Sequence, residues 1–398
     1  MAEPRHDGPL RVLVVHNAYQ QRGGEDSVVE AEVELLRRHG HHVIEYRRHN
    51  DELRSQSLWG AAAQTLWSRR TLRDLAPLLS DRRIDVIHCH NTFPLVSPSI
   101  YWAAHRAQVP VVQTLHNFRL LCPQAMFLRD GKVCEECLGH LPWRAVVHAC
   151  YRDSRMQSGV ATGMLALHRA LGSYRDRVTI YVALNEFCKR KFVEGGLPVE
   201  RLRVKPNFIE SPVPRPPQAR HGFLFVGRLS QEKGVETLVE AARRCAGLML
   251  RVAGGGPLER LLADAPGLTH LGVLTGEQVL DEMAHARALV LPSVCYESFP
   301  RTLVEAFASG LPVIASRLGA LSELVEHGVT GLLFDTGDAD ALAEALRWAQ
   351  AHPAEMAAMG ERARELYERD LAADSNCEQL VAIYREAMIV RAAEPAAR

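Results

Sequence analysis

At 398 residues the chain exceeds what one hydrophobic core ordinarily supports, which points to two domains. Apolar residues make up 47% and charged residues 24%, the balance of a globular protein and not of a disordered one. Lys+Arg and Asp+Glu both total 47, so no net charge argues for nucleic acid as a partner. The charge is uneven: residues 1–210 hold 29 Lys+Arg against 22 Asp+Glu, and the remainder 18 against 25. A basic first half leaves weak peripheral contact with a membrane surface open, although surplus surface arginine explains the same bias. No stretch reaches the roughly 18 consecutive apolar residues of a membrane span. The N-terminal segment lacks the apolar core and cleavage site of a signal peptide. A cytoplasmic location is expected, where the nine cysteines are reduced thiols or metal ligands.

In chain order, RVLVVHN (11–17) is a strand, followed by QQRGG and a helix from Asp26 to about His39 with Val28, Val29, Val33, Leu35 and Leu36 on one side. Gly40 is placed to end that helix. HVIEY (42–46), DVIHCH (85–90), VPVVQTLH (109–116) and TIYVAL (179–184) read as further strands. Between the last two lie a cysteine-rich insertion, about 118–152, and an apolar helix from roughly Gln157 to Leu171. SPVPRPPQAR (211–220) holds four prolines, which remove donors and fix φ, so it is a stiff connector and the domain boundary. The alternation then restarts with GFLFVGRLS (222–230), the helix VETLVEAARRC (235–245), and strands in LMLRVAGGG, ALVLPSV, PVIAS and GLLFD. From Asp338 to Ala393 the chain is almost wholly helical, with interruptions near Pro353 and Asp370. The expected architecture is α/β: two doubly wound parallel-sheet domains, 1–210 and 221–369, facing a cleft, with a helical segment 370–398 that crosses back to the first domain.

Two segments carry chemistry. GRLSQEKG (227–234) follows a strand and precedes a helix, so Arg228 and Lys233 project from a loop beside a helix N-terminus. Two cations and free backbone donors at one place suit a diphosphate. ESFPRTLVE (297–305) sets Glu297 in a loop and Glu305 in the second turn of a helix started by Pro300. Fixed carboxylates accept hydrogen bonds from sugar hydroxyls; a helix cap and a surface glutamate are the plainer account of the same residues.

With these segments in view, the chain resembles the retaining glycosyltransferases of family 4, which have the two-domain GT-B fold. The resemblance rests on GGED, TLHNFRLLCP, KPNFIE, GRLSQEKG, AGGGP, ESFPRTLVEAFASGLPVIAS and EHGVTGLLFD, and covers nearly the whole length. It implies that Arg228 and Lys233 bind the donor's diphosphate and that Glu305 holds the ribose. It implies also that Glu297 contacts the transferred sugar, with Ser298 and Phe299 nearby. Gly23 and Gly24 match a glycine turn at the cleft, Gly255 and Gly256 a second turn near the nucleotide, Asn207 a donor-side position, and His116 a histidine near the sugar. Family members show a fuller Gly-Gly-x-Glu pattern where this chain reads Gly23-Gly24-Glu25-Asp26. The implied function is retaining transfer of a hexose or N-acetylhexosamine from a UDP- or GDP-sugar donor to a hydroxyl acceptor, with no cofactor for catalysis. A catalytically inert nucleotide-sugar-binding or scaffold protein of the same fold is the alternative.

Cys122, Cys134, Cys137 and Cys150 lie in the insertion with the spacing C-x11-C-x2-C-x12-C. Such a spacing allows a structural zinc, which would staple a long irregular loop. Reduced thiols and a redox Cys-x-x-Cys are the other readings.

Overall fold

A strand covered on both faces is apolar at most positions, and most of the short runs found in the sequence fit that pattern. In the computed structural model, which describes residues 8–20, 23–80, 83–210, 219–245, 247–263 and 265–394, they become β1 (Arg11–Ala18), β2 (His42–His49), β3 (Val86–Cys89) and β4 (Val111–Thr114). A two-stranded antiparallel hairpin follows, β5 (Leu128–Arg129) with β6 (Lys132–Val133), and then β7 (Ile180–Ala183) and β8 (Leu202–Val204). Apart from the hairpin these strands form one parallel sheet in the order β2-β1-β3-β4-β7-β8. β3, β4 and β7 are buried at every position.

The second sheet is built alike from β9 (Phe223–Val226), β10 (Leu250–Ala253), β11 (Leu268–Gly272), β12 (Ala288–Leu291), β13 (Val313–Ser316) and β14 (Gly331–Phe334). Its order is β11-β10-β9-β12-β13-β14, all parallel. The helix Val235–Arg243 buries Val235, Leu238, Val239, Ala241 and Ala242 at helical spacing. These meet Phe223, Phe225, Val252, Val290, Leu342 and Leu346 in one core cluster. Each large aliphatic side chain so buried contributes roughly 1.5–3 kcal/mol.

The chain divides into two units, the first taking residues up to Ala125, Glu135–Pro206 and the stretch from Asp374 onward. The second takes Met126–Cys134 and Asn207–Ala373. Of the proline segment 211–220, residues 211–218 lie outside the described residues. After the helices Ala339–Ala351 and Pro353–Leu366 comes one π-helical turn, Tyr367–Leu371, whose Tyr367 hydroxyl donates to the Ile209 carbonyl at 3.1 Å. The final helix, Ala373–Ala393, packs in the first unit, where Glu394 just beyond it pairs with Arg201 at 2.9 Å and Glu386 pairs with Arg203.

Both sheets have a point where the strand order reverses, and there the loops leaving neighbouring strands diverge and open a crevice at the carboxyl ends. In the first sheet this point lies between β1 and β3, and in the second between β9 and β12.

Candidate functional site

The loops at the second reversal point carry the two segments singled out in the sequence. After β9 the chain runs through Gly227 and Arg228 into a 3-10 turn, Gln231–Lys233, and then Gly234 in the left-handed region at φ +70°. A Cβ on Gly234 would stand 1.8 Å from the Pro292 carbonyl oxygen, so glycine alone lets the helix Val235–Arg243 begin against the end of β12. The loop is braced by the glycine turn after β10. Leu229 N–H donates to the Gly255 carbonyl at 3.0 Å, and Leu258 N–H to the Leu229 carbonyl at 2.9 Å. Gly254, at φ +134°, would place a Cβ 1.9 Å from the Gly227 carbonyl oxygen, and Gly256 one 2.5 Å from that of Leu229. At Gly255 a Cβ would meet only side chains, those of Val273 and Glu259.

Lys233 Nζ donates to Glu297 Oε1 at 2.6 Å, and Ser293 Oγ donates to the same oxygen at 2.7 Å. Burial pushes the Glu297 carboxyl up, but the Lys233 ammonium and the two hydrogen bonds outweigh it and hold its pKa below the usual value. Burial likewise disfavours charge on Lys233, and Glu297 reverses that, raising its pKa. Lys233 is therefore a fixed ammonium at neutral pH. Arg228 is exposed and makes no side-chain hydrogen bond or ion pair among the described residues, so its five donors stay available. Glu305 lies on the helix Arg301–Ala308, next to Phe299, which is 8% exposed, and half-buried Ser298. It takes a hydrogen bond from Arg301 Nε at 2.8 Å and does not pair with Lys233 or Arg228. Burial raises its pKa in spite of Arg301. Asn207 is buried where the second unit begins. The Asp-x-Asp triplet at Asp338–Asp340 is a helix cap, with Asp338 Oδ1 accepting from Asp340 N–H at 2.9 Å and Asp340 pairing with Arg244.

In the first unit, Gly23 and Gly24 open the helix Gly24–Arg38 after β1. Asp26 accepts from Gly23 N–H at 2.8 Å and contacts His16 Nε2 at 2.8 Å. A Cβ on Gly24 would meet nothing within 4 Å, and one on Gly23 only the Asp26 carboxylate at 3.9 Å. Neither glycine is forced by its own surroundings. Glu25 accepts from the Tyr19 hydroxyl at 2.9 Å, and burial raises its pKa. His116 follows β4, half-buried, with Nε2 2.8 Å from His90 Nδ1. Burial, and then the neighbouring His90, hold its pKa well below the usual value, so it is neutral. His16, His88, His90, Glu32 and Lys205 are buried around it and were not read from the sequence. Their one visible signal is DVIHCH, which puts two histidines at alternate positions of an otherwise apolar strand.

The cysteine insertion differs from the irregular loop expected. It contains the hairpin β5–β6, counted with the second unit, and a short helix Arg144–Val147 in the first. Thiols on one tetrahedral zinc stand about 3.8 Å apart. Among the described residues, Cys122, Cys137 and Cys150 of the first unit form no group whose sulphurs all lie within 4.8 Å, so this arrangement does not fit the ion. Charged side chains tie the first-unit flanks down. Arg169 donates to the His140 and Leu120 carbonyls at 2.7 Å each, and Lys191 pairs with Glu135 at 2.9 Å.

Comparison with known proteins matches residues 22–213 to the family described as Glycosyltransferase Family 4 and residues 220–352 to Glycosyl transferases group 1. A GDP-mannose-dependent alpha-mannosyltransferase of Corynebacterium glutamicum is 37% identical over 31% of this chain and 30% of its own length. An uncharacterized glycosyltransferase of Methanocaldococcus jannaschii is 30% identical over 67% of this chain and 66% of its own. The chain thus spans about a third of one curated relative and just under two thirds of the other. The Anabaena protein HepE, solved in complex with UDP-glucose, superposes with a TM-score of 0.65 over 94% of this chain and 98% of that one, at 17% identity. That likeness shows the GT-B fold. With both sheets, the glycine-braced cation loop and the two family matches in agreement, the chain belongs to glycosyltransferase family 4.

Proposed function

We propose that the protein is a retaining, metal-independent glycosyltransferase that moves a hexose or N-acetylhexosamine from a UDP- or GDP-sugar to a hydroxyl acceptor. The observation that carries the reading is the loop after β9. There, a fixed ammonium and an unspent guanidinium stand beside a helix N-terminus and a glycine turn at a strand-order reversal. Negative charge grows on the β-phosphate as the sugar leaves, and cations already held in place stabilise it without reorganisation. Glu297, fixed by Lys233 and Ser293, offers its other oxygen to a sugar hydroxyl, and Glu305 serves the ribose. Acceptor handling is assigned to the first unit, with His116 and the open side of Gly24.

The relatives support both bases: one is named for GDP-mannose, and a structural neighbour was solved with UDP-glucose. A cytoplasmic location is part of the same reading. So is weak contact with an anionic membrane surface, since Trp59 is 86% and Trp143 55% exposed in the unit with surplus arginine. Among the described residues no helix is long and apolar enough to cross a membrane.

The test is a thermal-shift series with UDP-glucose, GDP-mannose, UDP and GDP, followed by turnover of whichever sugar nucleotide binds. A ligand at 100 times its Kd adds about 2.7 kcal/mol to the native state. Binding with slow hydrolysis that is lost in Lys233→Ala supports the enzyme. Binding without turnover in the presence of glycan and lipid acceptors identifies an inert sugar-nucleotide-binding protein.

A further inference from the structure

His116 reaches the protein interior through one nitrogen. Its Nε2 meets His90 Nδ1 at 2.8 Å, while Nδ1 of this half-buried residue makes no hydrogen bond among the described residues. The rings stack with centroids 5.1 Å apart. On its far side His90 turns Nε2 toward Glu32 Oε1 at 3.3 Å, a bent contact with no competing acceptor. Glu32 is held from several directions. Lys205 Nζ lies 3.3 Å from its other oxygen, and His88 Nδ1 lies 3.0 Å from Oε1. Lys205 also donates to Asn376 Oδ1 at 2.7 Å, and Asn376 Nδ2 donates to the Pro206 carbonyl at 2.7 Å. His88 is tied in turn to Thr114 Oγ1 and the Tyr384 hydroxyl, at 2.8 and 2.7 Å. This clasp joins the two places where the chain leaves and re-enters the first unit, Pro206 and Asp374.

Glu32, His88 and His90 offer three ligand atoms within 4.8 Å of one another, as a metal site does. The Lys205 ammonium already supplies the cation to Glu32 and would repel a second.

The carboxylate decides where the protons sit. A neutral His90 with its proton on Nδ1 would aim a lone pair from Nε2 at a buried anion, which is repulsive in a low-dielectric site. With the proton on Nε2 the same contact is attractive. His90 Nδ1 is then an acceptor, and the 2.8 Å contact needs its proton from His116 Nε2. A neutral His116 is left with a lone pair on Nδ1.

We propose that Glu32 and His90 are positioning residues that fix His116 as its Nε2–H tautomer, so that it presents Nδ1 as a hydrogen-bond acceptor to a substrate hydroxyl. The tautomer follows from the geometry alone; the substrate hydroxyl rests on the glycosyltransferase reading. The recognised chemistry is an O–H donor, whether on the transferred sugar or on the acceptor, and a ligand that offers only acceptors gains nothing there.

The test is histidine nitrogen NMR on the full chain labelled with 15N-histidine and free of substrate, with His116 assigned by its loss in His116→Gln. The expected spectrum near neutral pH has the His116 proton on Nε2. His90→Gln, whose amide oxygen still accepts, keeps that tautomer. His90→Leu and Glu32→Gln shift it to a mixture or to Nδ1–H. Sugar-nucleotide turnover by His90→Leu falls roughly tenfold or more in kcat at nearly unchanged donor KM, and His90→Gln recovers part of it. A proton on His116 Nδ1 in the wild type overturns the proposal. So does an unchanged Nε2–H tautomer in folded His90→Leu. If Glu32→Gln does not fold, the wild-type and His90 spectra still decide. Because these spectra need no substrate, they stand even if the protein proves to bind sugar nucleotides without turning them over.

Discussion

Lys233 is already paired before any ligand arrives, and that pairing shapes what its removal does. If the proposed donor site is right, Lys233→Ala takes a fixed cation from the diphosphate, and Glu297 keeps only Ser293, so its carboxyl pKa rises with burial. Turnover is expected to drop about a hundredfold or more, the scale of losing one preorganised charge-stabilising donor. The thermal shift by UDP or GDP shrinks as well. Unaltered nucleotide binding in the variant would remove Lys233 from the diphosphate site. Arg228→Lys keeps the charge but loses the planar fork, and is expected to fall between wild type and Arg228→Ala. The glycines separate fold from function. Gly254→Ala drives a Cβ to 1.9 Å from the Gly227 carbonyl oxygen at φ +134°, and is expected to cost at least ~2 kcal/mol by denaturant melt. Gly24→Ala meets nothing within 4 Å in the first turn of a helix, so stability should hold or rise by about 0.5 kcal/mol. A fall in turnover with that gain would show the space above Gly24 to be kept for substrate. Unchanged turnover would show that it is not.

At the scale of elements, the insertion is ordered by Arg169, Lys191 and the docked hairpin. Purified protein is accordingly expected to hold less than half an equivalent of zinc, and Arg169→Ala to loosen residues 118–152 to proteolysis. A full equivalent by elemental analysis would mean that the thiols gather on the ion. Much of the fold was legible because parallel strands buried on both faces leave short apolar runs, and because Gly227–Gly234 puts two cations after such a run. β11, the edge strand, was not: it carries a half-exposed Leu-Thr-His-Leu-Gly and no apolar signal. The helix Arg69–Ser80 holds Pro77 in its interior, which argues against a helix on local grounds. The site shows the same division. Arg228, Lys233 and Glu297 lie within two short segments whose loops announce themselves. The ion pair of Lys205 with Glu32 spans 173 residues and Tyr384 reaches His88 across 296, and a single sequence has no local pattern that records such contacts. Cysteine spacing is limited in a related way: it restricts which thiols can meet but does not bring them together.

For the whole molecule the consequence of burying this cluster is sensitivity to acid. Burial, then the neighbouring His88, depresses the His90 pKa to about 3, and burial depresses that of His116 well below its usual value. In the unfolded chain both titrate near 6.5. Below that pH the unfolded state binds protons that the folded state refuses, so stability rises with pH and is lost on acidification. Each such histidine contributes a slope of up to roughly 1.4 kcal/mol per pH unit, from about pH 6.5 down to its folded pKa. Glu32 adds to the loss further down. Burial alone would raise its pKa, but Lys205 and His88 hold it well below 4.5, so its contribution is present above 4.5 and lost as pH falls through the folded value. Glu305 opposes the trend: its raised pKa favours the folded state at low pH and ceases to as pH rises through that value. Glu25, whose carboxyl burial also raises, opposes it likewise, while burial lowers the pKa of His41, His105 and His168 as well and so adds to the histidine side. The melting temperature should therefore be flat from about pH 8 to 7 and fall steadily from 6.5 to 5, by several degrees per unit. His90→Gln removes one of these sources and should make that limb shallower even if its melting temperature at pH 7.5 is lower. Melting by circular dichroism across this range checks both expectations. A wild-type curve level from pH 7 to 5 would mean that these histidines accept protons in the folded state, through water reaching the cluster.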